Sequence, residues 1–253
     1  MNIIRLKSVS NREIQRFIRI PVQTLLSPWI SATLYILVFG VIIGSRIEFL
    51  EHISYIDFVF PGIIMLQLIG GAYGQAAFSL FFNRWAKTIQ EMLSAPLSYA
   101  EIIAGYVIGA TMRGLAVALG VYVIALLFTG ATVSNVFLFF FYVILISVLF
   151  SLLGLIVGLW AEKMEHLNML QTFIITPLIY VSGVFNSIDM LPESVHWLVR
   201  LNPFFYMVDG IRYSLIGYSE SSLLVGTLAL IFFTTALFGL VVHLFKIGWK
   251  LRP

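Results

Sequence analysis

The sequence predicts an all-α integral membrane protein: six membrane-spanning helices, an amphipathic interfacial helix ahead of the first, and a short ordered helix between the second and third. Three observations predict it. Only 11% of the 253 residues are charged and 60% are hydrophobic, whereas about a quarter of an ordinary soluble domain is charged. Windows of about 20 residues with at most one charge, the length a bilayer core demands, recur along the chain. The basic residues cluster between those windows on alternate sides. What remains is too short for a second globular domain, so residues 1–253 are expected to form one transmembrane domain.

The expected spans are about residues 21–44, 58–82, 102–128, 134–160, 167–187 and 222–245. Arg5, Lys7, Arg12, Arg16 and Arg19 precede the first; Arg84 and Lys87 follow the second, Lys163 the fourth, and Lys246, Lys250 and Arg252 the sixth. The opposite side holds Arg46, Arg200 and Arg212 among many acids: Glu48, Glu51, Asp57, Asp189, Glu193, Asp209 and Glu220. The positive-inside rule therefore places both termini, and the loops after spans two and four, in the cytoplasm. The first apolar run is too long for a signal-peptide core and reads as an uncleaved anchor. The chain has no cysteine, which removes disulfides, thiol catalysis and cysteine metal sites.

Ahead of the first span, Ile3, Leu6, Ile14 and Phe17 fall on one side of a helix and Arg5, Arg12, Arg16 and Arg19 on the other. Such a helix would lie on the membrane surface; a basic tail that only fixes topology is the plainer reading. Ser10 with Glu13 has capping-box spacing and offers a later start at residue 11. Inside the spans, small and polar residues recur every fourth position: Gln23, Ser27, Ser31 and Tyr35 in span one, and Gln67, Gly71, Gln75 and Ser79 in span two. Gly105 with Gly109 and Gly154 with Gly158 are GxxxG pairs. Close helix packing explains such stripes more simply than a transport path does.

Much chemistry is excluded or unsupported. No lysine follows a glycine, so the GxxxxGK[ST] phosphate loop is absent and the chain does not bind ATP that way. The four histidines, His52, His166, His196 and His243, show no ligand spacing, so no metal site is expected. No acid sits mid-span where a proton-driven carrier would keep one, and energy is expected from outside the chain. Arg113 is the exception, a charge about twelve residues into span three and so ~18 Å along it. An intramembrane arginine marks function by default; bonding to neutral groups of neighbouring helices, or snorkelling to lipid phosphates, is the structural alternative.

The loop after span two reads "TIQEMLSAPLSYAE" from residue 88. Trp85, Ile89 and Met92 fall at helical spacing, with Lys87, Gln90 and Glu91 on other faces. Thr88 with Glu91 has capping-box spacing, "SAP" stops the helix, and Ser98 with Glu101 would start span three. An ordered knob with an apolar ridge and a central acid suits docking into a groove on a cytoplasmic partner. A helix lying on lipid is the alternative.

The run "IQEMLSAPLSYAEIIAGYV" resembles the first cytoplasmic coupling segment of type-2 ATP-binding-cassette (ABC) exporter permeases. The run "SGVFNSIDMLPESVHWLVRLNPFFYMVDGIRYSLIG", residues 182–217, resembles that family's external segment between spans five and six. The resemblance covers nearly the whole chain, and within the family it is strongest to the YadH-like bacterial inner-membrane permeases. It implies a homodimer of this subunit with two copies of a separate cytoplasmic ABC ATPase that binds ATP and Mg, this chain holding no cofactor. The complex would sit among membrane lipids, with no nucleic acid, and move an amphipathic, lipid-linked or drug-like substrate outward.

Carried over by position, the resemblance assigns ATPase coupling to Ile89, Glu91, Met92, Leu93, Ala95 and Pro96. It assigns the external motif to Ser182, Gly183, Phe185, Pro192, Leu201, Asn202, Pro203, Arg212 and Gly217, with residues 188–217 forming short re-entrant helices. Polar positions of spans two and five, which line the path in such exporters, would be Gln67, Gln75, Gln171, Thr172, Thr176 and Tyr180. A channel or scaffold without energy coupling, and an intramembrane lipid-modifying enzyme, are the competing classes.

Overall fold

The computed structural model describes residues 3–44, 53–130 and 133–251. Arg46, Glu48, Glu51, His52 and Arg252 lie outside the described residues. Helix α1 (Ile3–Ile18) leads into α2 (Val22–Ile43), followed by α3 (Tyr55–Trp85), the short α4 (Ile89–Ser94), α5 (Tyr99–Ala125) and α6 (Val136–Trp160). Next comes α7, continuous through Met164–Leu170, Gln171–Ile175 and Thr176–Tyr180. Two short helices, α8 (Glu193–Leu201) and α9 (Pro203–Ile216), precede α10 (Leu223–Ile247).

Among the described residues, five helices are long and apolar enough to cross a membrane: α2, α3, α5, α6 and α10. The expected span at 167–187 is shorter than predicted. Its segments of seven, five and five residues make about 26 Å at ~1.5 Å per residue, under the ~30 Å of a hydrocarbon core. The helix stops where the chain turns at Gly183, whose φ of 78° suits glycine. Inside α7 the wide turn Gln171–Ile175 stands just before Pro177, and in α2 the wide turn Val22–Leu26 stands just before Pro28. Proline has no amide proton for the helical ladder, so each helix widens by one bond to pass it.

Helix α3 is the hub, packed by α5 on one side and α6 on another. The two GxxxG pairs make close approaches possible, one of α6 to α3 and the other of α1 to α5. A side chain at Gly154 or Gly158 would lie 2.6 Å from the Tyr73 carbonyl or 2.8 Å from the Ala77 carbonyl of α3. At Gly105 and Gly109 it would collide with Val9 and Glu13 of α1.

Helix α1 therefore docks on protein, and this corrects its expected face. Val9, Ser10, Glu13 and Phe17 are buried, while Ile3 is 79% exposed. The helix runs unbroken through Ser10, so no capping box starts it at residue 11. At the start of α4, Thr88 does not cap either; its hydroxyl donates to the Asn83 carbonyl (3.3 Å) and side-chain oxygen (3.2 Å). The box at α5 does form: Glu101 N–H donates to Ser98 Oγ (3.3 Å) and Ser98 N–H to Glu101 Oε2 (2.9 Å).

Candidate functional site

Three groups of residues carry the expected functions, and the structure places them apart. The first is α4 and the turn after it. Ile89 is 2% and Met92 6% exposed, both in one apolar cluster with Leu80, Ile102, Tyr106 and Leu251. The ridge expected to face a partner is thus split: Trp85 is exposed, while Ile89 and Met92 turn into the chain's own core, a correction with a simple cause. A helix of six residues has too little local stability to stand alone and is held by what it buries. Gln90, Glu91, Ser94 and Pro96 face outward, with Leu93 and Ala95 half-buried between.

Helix α1 grips this segment. Arg5 donates to the Pro96 carbonyl, and Arg12 (2.9 Å) and the Tyr106 hydroxyl (3.6 Å) both approach Met92 Sδ. Behind them lies a buried polar chain. Asn83 Nδ2 donates to the Tyr106 hydroxyl, Arg16 donates to Asn83 Oδ1 (2.9 Å) and the Ser79 carbonyl (3.2 Å), and the Ser79 hydroxyl donates to Glu13. Glu13 also pairs with Arg12 at 3.2 Å, which compensates for burying its charge. Sequence reasoning missed Asn83 and Tyr106 as site residues. The signal for Asn83 was present, since it continues the four-residue stride of Gln67, Gly71, Gln75 and Ser79.

The second group is the expected path. Gln67 and Gln75 are buried and face away from open space. Between Phe58 and Asn83 the residues of α3 that escape burial are Leu66, Gly70, Gly74, Phe78 and Phe82, one stripe at a stride of four. The expected glutamines sit one residue along from it, about 100° around the helix. A side chain at Gly70 would meet only Gln171 Nε2, at 3.3 Å, and one at Gly74 nothing within 4 Å. Phe78 and Phe82 stack at 5.9 Å, and the Arg16 guanidinium stands 5.9 Å from the Phe82 ring. On α7, Thr172 and Tyr180 are exposed and Gln171 and Thr176 half-buried; the Tyr180 and Tyr35 hydroxyls are 3.1 Å apart. Arg113 donates to the Thr24 carbonyl (3.4 Å) and Gln75 Oε1 (3.3 Å), so neutral groups of α2 and α3 satisfy it.

The third group is a knot at the α9 end. Arg212 is fully buried, pairs with Glu220 at 3.2 Å, donates to the carbonyls of Gly183 and Phe58, and lies 3.7 Å from the Phe58 ring centroid. Asp209 accepts from the Glu220 N–H (2.7 Å) and the Ser221 N–H (3.0 Å). Burial pushes the Asp209 and Glu220 carboxyls up and the Arg212 guanidinium down, and their opposite charges pull each back. Asn202 caps α9 by accepting from Phe204 N–H (3.0 Å) while its own amide donates to the Leu178 carbonyl (2.6 Å). Pro203 opens α9 and Gly217, at φ 73°, closes it. Pro192 begins α8, which exposes Trp197, Leu198 and Leu201. The Ser182 hydroxyl donates to the Ile179 carbonyl (2.6 Å), and the Phe185 carbonyl accepts from Tyr55 (2.9 Å). Glu220 and Asp209, the partners of Arg212, were legible only as charges.

Residues 5–216, from α1 through the end of α9, match the model of ABC-2 type transporters. The chain belongs to the ABC-2 type transporter family. It is 40% identical over 249 residues, 98% of this chain and 97% of the relative, to the inner membrane transport permease YadH of Escherichia coli strain K12. It is 25% identical over 186 residues to nodulation protein J of Rhizobium leguminosarum bv. viciae (73% and 71% of the two chains), and 22% over 192 residues to that of Bradyrhizobium diazoefficiens (75% and 72%). As an ABC-2 subunit it is a membrane component of a transporter. The α4 segment, Asp209 and Arg212 fall inside the matched region, and Glu220 lies just beyond it.

Proposed function

We propose that this chain is the permease subunit of an ATP-driven exporter of the bacterial inner membrane. It works as a homodimer with two copies of a cytoplasmic ABC ATPase, which binds the ATP and Mg. In this reading α7 is the fifth of six spans, α8 and α9 are the external re-entrant helices, and both termini are cytoplasmic. The observation that carries it is α4: a helix locked to the bundle by Ile89 and Met92, gripped by Arg5 and Arg12, and presenting Gln90, Glu91 and Pro96 outward. An element fixed on one face and polar on the other transmits a push from a water-borne partner. A lipid-lying turn would present the opposite face.

The substrate is amphipathic or lipid-linked, and moves along the open α3 stripe in place of the buried glutamines. That stripe offers aromatic faces at the α4 end and glycines beyond, and no ionisable side chain. The test is ATP hydrolysis by the purified full-length chain alone and with its co-expressed ATPase. Activity is expected only in the second preparation; hydrolysis by the chain alone would overturn the reading.

A further inference from the structure

A cavity of about 420 Å³ opens at the α4 end of the bundle, between the last turn of α3, the start of α4, the end of α6 and the C-terminal turn. Its charged lining is Arg84, Lys87, Glu162 and Lys250, three cations to one carboxylate. Arg84 is spent on structure: it donates to the carbonyls of Lys250 (2.8 Å), Gly158 (2.8 Å) and Ala161 (3.1 Å). Lys250 Nζ reaches Glu162 at 2.7 Å and the Trp160 carbonyl at 3.2 Å. Lys87 is exposed, and its ammonium bonds to no described residue.

A second feature sets the two lysines apart. Among the described residues, the non-glycine positions with positive φ are Lys87 (59°) and Lys250 (55°), and both line this cavity. Lys87 takes it as the residue just after the α3 cap, where a left-handed residue commonly ends a helix, and in a residue with a side chain that conformation is unfavourable. The cavity also lies on the water side. Trp85 and Trp160, both exposed, are residues of the kind that gather at the membrane interface, and Lys87, Glu162 and Lys250 follow them in the chain, beyond the ends of α3, α6 and α10.

The geometry points to this cavity as a socket for an acidic side chain of the partner ATPase, held between Lys87 and Lys250, with the C-terminal turn as one wall. The inference rests on the permease reading above and extends the docking surface from α4 to the tail. Lys87 supplies the unpaired charge, and Lys250 shares or exchanges its Glu162 contact when the incoming carboxylate arrives. Leu251, buried beside Ile89 and Met92, fixes the tail to the same cluster that anchors α4.

The experiment is retention of the co-expressed ABC ATPase by the full-length chain at rising salt. Lys87→Glu should lower retention about tenfold, since like charges then meet across the contact. Lys87→Gly should raise the heat resistance of the chain, because glycine relieves the positive φ, and yet also lower retention. Those opposite signs separate the socket from a structural role. Glu162→Gln, which frees Lys250, should hold the ATPase to higher salt. Retention at the parent level by both Lys87 variants overturns the socket. So does loss of the Lys87→Glu effect in nanodiscs of zwitterionic lipid alone, since the occupant would then be an anionic lipid head group. Glu91→Lys, run in parallel, reads the α4 contact by itself. If it loses the ATPase while the Lys87 variants keep it, the socket falls and the proposed function stands.

Discussion

Replacing Ile89 by alanine should release α4 from the bundle without unfolding the rest. The side chain is 2% exposed, so the change deletes three buried carbon groups. At ~0.8 kcal/mol each that is about 2.4 kcal/mol, and the residual cavity brings the cost into the usual range of about 2–5 kcal/mol for isoleucine to alanine. Only six residues belong to α4, so local opening absorbs most of the loss. An energy of about 2.4 kcal/mol is roughly 60-fold in an opening equilibrium. Amide hydrogen exchange across residues 89–97 should accelerate by that factor or more, while α3 and α5 keep their protection. Exchange equal to the parent's would mean that Ile89 is not an anchor, and that the apolar ridge faces outward after all.

Gly109→Leu should drive a side chain into Glu13 of α1, an overpacking cost of about 1–3 kcal/mol, and expose residues 3–18 to limited proteolysis; a protected α1 would contradict its seat on α5. Arg212→Met should lower thermal stability by about 3–5 kcal/mol, because Glu220 is left buried and unpaired, and the double change with Glu220→Gln should recover much of the loss by denaturation in detergent. The Glu162 carboxyl is held below its ordinary range, first by the hydrogen bond from Lys250. Its tail contact is therefore at full strength above the ordinary value of 4.5 and weakens as pH falls through the lowered value; exchange of the amides at 249–251 should rise only on that acid side. Arg113→Leu should leave the chain folded, since only neutral acceptors lose a donor, and a failure to express would refute that.

Five of the expected spans were legible because a long apolar run has few alternatives in water or lipid. The extent of α7 was not, because hydropathy continues through Val181 and Phe185 while the backbone turns at Gly183. Local chemistry read well where it is complete in sequence, as with the Ser98 and Glu101 box. It failed at Thr88, whose hydroxyl is drawn to Asn83 by the way α3 ends. Periodicity found that Ile89 and Met92 share a face but not what the face meets, since the partners, Leu80, Tyr106 and Leu251, are fixed by tertiary packing. The same limit hid the role of Glu13, whose buried donor Ser79 lies 66 residues away. Gln67 and Gln75 were chosen for polarity, and polarity in a bundle is as often spent between helices as on an open face.

In the proposed complex, α4 presents its polar face to an ATPase while its apolar face stays with the bundle. The chain has no cysteine, so a single one placed in α4 is a unique chemical handle. In the assembled complex, a Glu91→Cys variant should cross-link to lysine amines of the ATPase with a short linker carrying a maleimide and a succinimidyl ester, and an Ile89→Cys variant should resist both labelling and cross-linking. Cross-linking from position 89 and none from position 91 would mean that the apolar face of α4, and not the polar one, meets the ATPase.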